Sequence, residues 1–425
     1  MYRKLVLFVL CVTLVLTTAG CYAQVEKPEQ STSVPADTTR RDTTLPRETT
    51  QPQADGPHFA ITHVEPNGTK ARHNIRSGDA GYGIDVFPAP DGSSVFFPGG
   101  VIRYYDMSSH TSFVVCPIPG CTHDNPSCPS RIPGIVTFCA DENYWCAFTK
   151  QDEVFSFLRI DLQTGERKVL HTWDAYWYLG EDFISSGYVF AAIRCSEKDL
   201  ESYVCMDLSE GTVKEFAHND KMGFGRLVGG GPNTAIMCWV SYSEPLLTME
   251  EWLEANPGKS DEDYFAYTEK IWRNTTETLR RYDLTTGTYE EIEPGEDVGL
   301  FSDPNSSYDD YFVYRKGDSV MLGSITGGES RKVFTAEDIS NAWLMDGRVF
   351  ILRRDEEGRL QEWVADLTGG EAQLLHDYGS QVQGISFSAV KECNDYFFGS
   401  GDNGYSYILK ADYYAGNFDK ANSSF

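Results

Sequence analysis

The chain of 425 residues has no apolar run long enough to cross a bilayer. The longest, Leu5 to Leu16, falls short of the roughly 20 residues that a spanning helix needs. Basic residues are scarce. The 36 Lys and Arg stand against 63 Asp and Glu, for a formal net charge of −27. So acidic a surface repels nucleic acid and anionic lipid, which excludes a nucleic-acid partner. The sequence motifs of catalysis are missing too. There is no Gly-x-Ser-x-Gly elbow, no phosphate-binding Walker loop and no His-Glu-x-x-His pair. Gly229-Gly230-Gly231 reads as a loop, not as a turn between strand and helix, so it is no dinucleotide signature. Acidic pairs such as Asp309-Asp310 and Glu290-Glu291 read as surface hairpins.

What is present begins with an address. Arg3 and Lys4 precede the apolar run, and Thr17-Thr18-Ala19-Gly20 leads to Cys21. This is the three-part pattern of a secretory leader, residues 1–20. The Ala-Gly-Cys ending resembles the lipobox of bacterial lipoproteins, with Thr18 where that family prefers Leu. The resemblance implies lipid attachment at Cys21 and a protein anchored to the outer face of the cell membrane. The alternative is an ordinary leader cut near Ala19 or Ala23. Residues 21–57 are rich in Pro, Thr, Ser and Gln and poor in large apolar residues. Such a stretch cannot bury enough surface to offset its ordering entropy, so it reads as a disordered tether.

Residues 58–425 exceed the roughly 250–300 residues that one hydrophobic core serves. A repeat array escapes that limit. One pattern returns: a strand, Asp-Leu-x-x-Gly, then another strand. The clear copies are Arg159–Gly165, Cys205–Gly211, Arg281–Gly287 and Val364–Gly370; the weaker ones are Tyr104–His110, Leu322–Gly328 and Lys410–Gly416. They lie about 40 to 55 residues apart, the spacing of four-stranded propeller blades. One interval, Asp207 to Asp283, is longer. Asp bonds its own backbone two residues on, and Gly supplies positive φ, so each copy reads as the hairpin joining the third and fourth strands of a blade. Aromatic residues make up 13% of the chain, which favours strands. The expected fold is all-β: a β-propeller of seven four-stranded antiparallel blades. Phe59 to Glu65, with Ala60-Ile61-Thr62 at its centre, offers an outer strand to close the last blade.

Two stretches depart from the repeat. The long interval holds an insertion, residues 244–274. Thr248-Met-Glu-Glu251 is a capping-box pattern. It starts a helix to about Ala255, and a second helix runs from about Asp261 to Arg273. The insertion reads as a lid, a docking surface or a helical hairpin covering a blade edge. The second departure is a Cys-rich loop, residues 116–146. Cys116, Cys121, His123 and Cys128 are the donor types of a tetrahedral zinc site. Outside the cytoplasm the same cysteines are disulfide candidates. Cys139 with Cys146, and Cys195 with Cys205, would face each other across hairpins. The chain has 11 cysteines; once Cys11 and Cys21 are set aside, an odd number remains. No cofactor is required by these residues: a structural Zn²⁺ is the alternative to disulfides in the loop, and Asp402-Asn403-Gly404 reads as a plain turn with Ca²⁺ as its alternative.

Cys116, Pro119, Cys121, His123 and Cys128 fit the stretch Cys-x-x-Pro-x-Cys-x-His-x-x-x-x-Cys. With the lipobox and the repeat, this resembles a family of lipobox-bearing β-propeller lipoproteins of Firmicutes. Their domains are similar to the propeller of the low-density-lipoprotein receptor. The resemblance implies fold and location. No activity attaches to that family, so function rests on the residues. The expected role is non-catalytic: a tethered propeller binding an extracellular glycan, peptide or envelope protein. One alternative is a glycan hydrolase or lyase with carboxylates in the central funnel. The other is a scaffold that docks a protein through the helical insertion.

Overall fold

The computed structural model describes residues 200–293 and 306–379 continuously, 298–301, most of 121–198 and 387–423, and short pieces between 75 and 114. Cys21, the tether, residues 59–65 and Cys116 lie outside the described residues. So do Asp402 and Asn403.

Strands dominate. Among the described residues they form seven antiparallel sheets, which succeed one another along the chain. The third is typical. Its strands Trp177–Ser185, Tyr188–Cys195, Leu200–Asp207 and Thr212–His218 pair in chain order. A short extra strand, Ile75–Arg76, joins the free edge of its first strand, with Ile75 opposite Ile184. First strands of the first four sheets pack one on the next. The first strand of the seventh sheet, Phe387–Cys393, lies against that of the first, Phe87–Pro88. A succession of antiparallel sheets that returns on itself is a β-propeller.

Hydrophobic patterning follows from this layout. Second strands are covered by neighbouring sheets on both faces, so their central residues are apolar and buried. Val189 to Ile193 are all fully buried. Phe183 and Phe190 stack at 5.0 Å, and their cluster continues into Leu227, Met237 and Trp239 of the fourth sheet.

The Asp-to-Gly corners sit where the repeat places them. Asp207 Oδ1 accepts the backbone N–H of Ser209 (2.8 Å) and of Glu210 (3.0 Å), and Gly211 turns the chain at φ 72°. Asp283 does the same for Thr285 and Thr286, with Gly287 at φ 73°. The fifth corner has Ser324 instead of Asp. There a carboxylate is supplied from the preceding hairpin: Asp310 accepts the N–H of Thr326 (2.9 Å) and the hydroxyl of Ser324 (2.6 Å). The corners also join sheets. Arg281 Nε donates to the carbonyl of Ile325 (3.1 Å) and its Nη2 to that of Ser324 (3.0 Å). Arg331 reaches Asp366 and Leu367 in the same way, and Arg159 reaches Leu208 and Ser209.

Two sequence expectations are corrected. Gly229-Gly230-Gly231 is not a loop: it ends the buried strand Gly223–Gly231. The strand needs glycine because Phe190 of the third sheet presses on it; a Cβ at Gly230 would lie 2.4 Å from that ring. The seventh corner is not a hairpin. Lys410–Tyr414 is a short helix, α3 in chain order, and it is drawn out of the turn by Tyr413, which is buried against Phe350 and Phe397. Residues 59–65, offered as an outer strand of the last blade, lie outside the described residues; among the described residues the strand beside Gly404–Leu409 is Asn422–Ser423.

The insertion joins the second and third strands of the fourth sheet, Thr234–Ser241 and Thr276–Asp283. Thr234 is opposite Asp283 and Ser241 opposite Thr276. The insertion therefore lies at the end of the sheet opposite its Asp corner. Helices α1, Met249–Ala255, and α2, Asp261–Arg273, each start with a complete capping box, at Thr248 with Glu251 and at Ser260 with Asp263. No helix among the described residues is long and apolar enough to cross a membrane.

Candidate functional site

The Cys-rich loop connects the fourth strand of the first sheet, Thr111–Val114, to the first strand of the second, Ile135–Ala140. It is held by its own backbone. Arg131 N–H donates to the carbonyl of Cys128 (2.9 Å), and its guanidinium donates to the carbonyls of His123 and Asp124 (3.2 Å each). His123 adopts φ 62°, a left-handed conformation that His visits more often than most residues. Ile132, buried, fixes the far end.

That frame brings three donors together. Cys121 Sγ lies 3.5 Å from Cys128 Sγ, and His123 Nδ1 lies 3.4 Å from Cys128 Sγ. The three ligand atoms all fall within 4.8 Å of one another. Ser130, which the sequence reading passed over, sits 2.8 Å from Cys128 Sγ and 3.4 Å from His123 Nδ1. Burial pushes the Cys128 thiol up, but hydrogen bonds from Ser130 and His123 outweigh it and bring it down to about 6. A thiol so placed carries the negative charge that metal ligation or thiol chemistry needs.

The other cysteines part ways. Cys139 and Cys146 are direct cross-strand partners, and Cys146 is buried. Cys195 and Cys205 do not face each other. Their hairpin pairs Cys195 with Leu200 and Phe190 with Cys205, which sets them five positions apart along the ladder. A disulfide needs Cα atoms within about 7 Å, and five residues of strand span about 17 Å. Burial, with Asp207 nearby, pushes the Cys205 thiol up to about 12. Cys205 is a core residue. Among the described residues no two sulfurs stand at bonding distance.

The insertion offers a second feature. Its interior is aromatic: buried Trp252 stacks on Tyr267 (5.6 Å) and meets Tyr264 edge-on (5.9 Å). Tyr264 and Tyr267 hydroxyls donate to the carbonyls of Leu247 and Pro245, which ties α2 to the approach segment. Trp272 meets Tyr242 (5.4 Å) and Phe224 (5.8 Å) edge-on, and Ile271 beside it is fully buried. Yet Phe265 is 60% exposed, Trp272 42% and nearby Met222 43%. Folding leaves these three apolar side chains open to solvent.

No protein-family model matches the chain. No curated protein matches it in sequence. Solved structures do. It is similar to the tricorn protease at 8% identity and TM-score 0.48, covering 83% of this chain and 35% of that one. It is similar to the β-propeller domain of the Trilobed protease from Pyrococcus furiosus, at 9% identity and TM-score 0.43, covering 80% and 94%. It is also similar to an oligogalacturonate lyase from Vibrio parahaemolyticus, at 13% identity and TM-score 0.42, covering 81% and 84%. The chain spans about a third of the length of the tricorn protease. These likenesses extend to the fold alone. The chain is a β-propeller protein with a small helical insertion.

Proposed function

We propose that this chain is a lipid-tethered propeller that binds a glycan, peptide or envelope protein outside the cytoplasm, using the exposed aromatic surface of its helical insertion. The carrying observation is that surface. Phe265 and Trp272 are residue types enriched at recognition sites, and they stay open to solvent on an element whose own core is already filled, with exposed Met222 on the turn before the strand Gly223–Gly231. Two capping boxes and the Tyr264 and Tyr267 hydrogen bonds hold it rigid, so little ordering entropy is lost on binding. The scaffold reading and the ligand-binding reading meet here; the chemistry of the partner separates them.

The test is incubation of the full chain with glycan and peptide arrays, scored for retention and for product release. The expected result is retention without turnover. It should weaken by at least tenfold in Phe265→Ala combined with Trp272→Ala, each lost aromatic anchor contributing about 1–2 kcal/mol. Turnover of any bound glycan would replace this reading with the lyase or hydrolase one. The tether is tested separately. Cys21→Ala should move the protein from the membrane fraction to the soluble fraction, because two acyl chains hold stably where the bare chain does not. Membrane retention of Cys21→Ala would refute the anchor and leave the binding surface untouched.

A further inference from the structure

We propose that Cys121, His123 and Cys128 form a thiolate–imidazole site for one zinc-class cation, which locks the loop between the first and second sheets. The case is geometric. In a tetrahedral zinc site Zn–S is about 2.3 Å and Zn–N about 2.0–2.1 Å, which puts two sulfurs about 3.8 Å apart and a sulfur and a nitrogen about 3.6 Å apart. The corresponding separations are 3.5 Å for Cys121 to Cys128 and 3.4 Å for His123 Nδ1 to Cys128. Two of the three donor separations therefore already stand close to the edges of a zinc tetrahedron, and all three donors lie within 4.8 Å of one another. A disulfide would require the two sulfurs at about 2.05 Å, and it would leave the imidazole beside them without a role.

The surroundings fit the same assignment. Two thiolates and an imidazole are soft and borderline donors, which select zinc over calcium or magnesium. The Ser130 hydroxyl at 2.8 Å is placed to donate to the Cys128 sulfur, as outer-shell groups do at thiolate sites. Arg131 fixes the carbonyls of His123 and Asp124 from outside, so the left-handed turn at His123 is held independently of the ion. A bound cation would also keep these thiolates from oxidation outside the cytoplasm. The site is structural: its donors pin two ends of one loop and lie away from the insertion in sequence.

The experiment uses the full chain, purified with reductant and without chelator. Elemental analysis should give one zinc per chain. Cobalt loaded in its place should show a thiolate-to-metal charge-transfer band, which reports the sulfur ligands without any substitution. Cys121→Ser and His123→Ala should each weaken zinc at least tenfold in a chelator competition, with the thermal unfolding of the sheets kept as the folding control. Three results would each overturn the proposal: no zinc retained after loading in reductant, equal uptake by the Cys121→Ser, His123→Ala double variant, or linked Cys121 and Cys128 peptides in protein isolated from its native location.

Discussion

Phe350→Ala should destabilise the protein by about 3–5 kcal/mol, the range for removing a fully buried aromatic ring. Phe350 is wholly buried on the second strand of the sixth sheet, Arg348–Arg354. It stacks on its cross-strand partner Trp343 at 5.6 Å. On its other side it meets Phe397 edge-on at 6.2 Å, Tyr413 at 6.5 Å and Tyr414 at 6.4 Å. These partners belong to the seventh sheet and to α3. The ring is therefore the joint between the last two sheets. Around it lie polar ties from the same helix: Lys410 Nζ and the Tyr414 hydroxyl both reach Asp346, at 2.7 Å each. The loss should be local before it is global. Hydrogen exchange at Tyr396–Gly401 should speed up by more than tenfold, while Tyr188–Cys195 in the third sheet changes little, because repeat arrays couple chiefly to their neighbours. A urea midpoint shift worth under 1 kcal/mol, or uniform acceleration through all sheets, would count against this joint.

How much of this was legible in the sequence depends on the range of the interactions. The Asp corners were legible because their chemistry is local. Asp207 and Asp283 bond backbone within three residues, so the pattern carries its own cause. The helix cap at Thr248 was legible for the same reason, while the equally local box at Ser260 was passed over. Cys121, His123 and Cys128 meet within one short loop, so their spacing announced them, while Ser130 and Arg131, which support them, have no signature of their own. What was hidden came from far along the chain. Three glycines in a row look like a loop until Phe190, 40 residues earlier, is seen pressing on Gly230. The seventh corner looks like its siblings until Tyr413 finds Phe350 and Phe397. Arg159 and Arg281 stand two residues before their Asp in the repeat, but what they bind is the neighbouring sheet. The hairpin holding Cys195 and Cys205 misled because its turn ends one residue before Leu200, and register depends on where the turn ends.

Glu362→Gln should cost more stability at pH 5 than at pH 8. Glu362 is buried in the sixth sheet, where its carboxyl accepts hydrogen bonds from Tyr378 (2.6 Å) and Tyr413 (2.7 Å). His376 Nε2 lies 3.9 Å away, too far for a hydrogen bond. Burial raises the pKa of Glu362, against the pull of the two tyrosine hydroxyls. Burial lowers that of His376. Both shifts favour a neutral pair. For Glu362 the folded value lies above the unfolded one of about 4.3. Between those two values the native state holds more protons than the unfolded chain, so this group's contribution to stability falls as pH rises through that window. For His376 the folded value lies below about 6.5, and its contribution rises with pH over the window below that value. Glutamine removes the first contribution and keeps the second. At low pH the variant loses a protonated carboxyl that the site accommodates. At high pH it is relieved of a buried negative charge. It also leaves one tyrosine without its acceptor, a cost of about 1–3 kcal/mol at every pH. Urea unfolding of both proteins at several pH values measures the difference. A penalty that grows with pH would mean that the tyrosines win over burial and that Glu362 is held as a carboxylate.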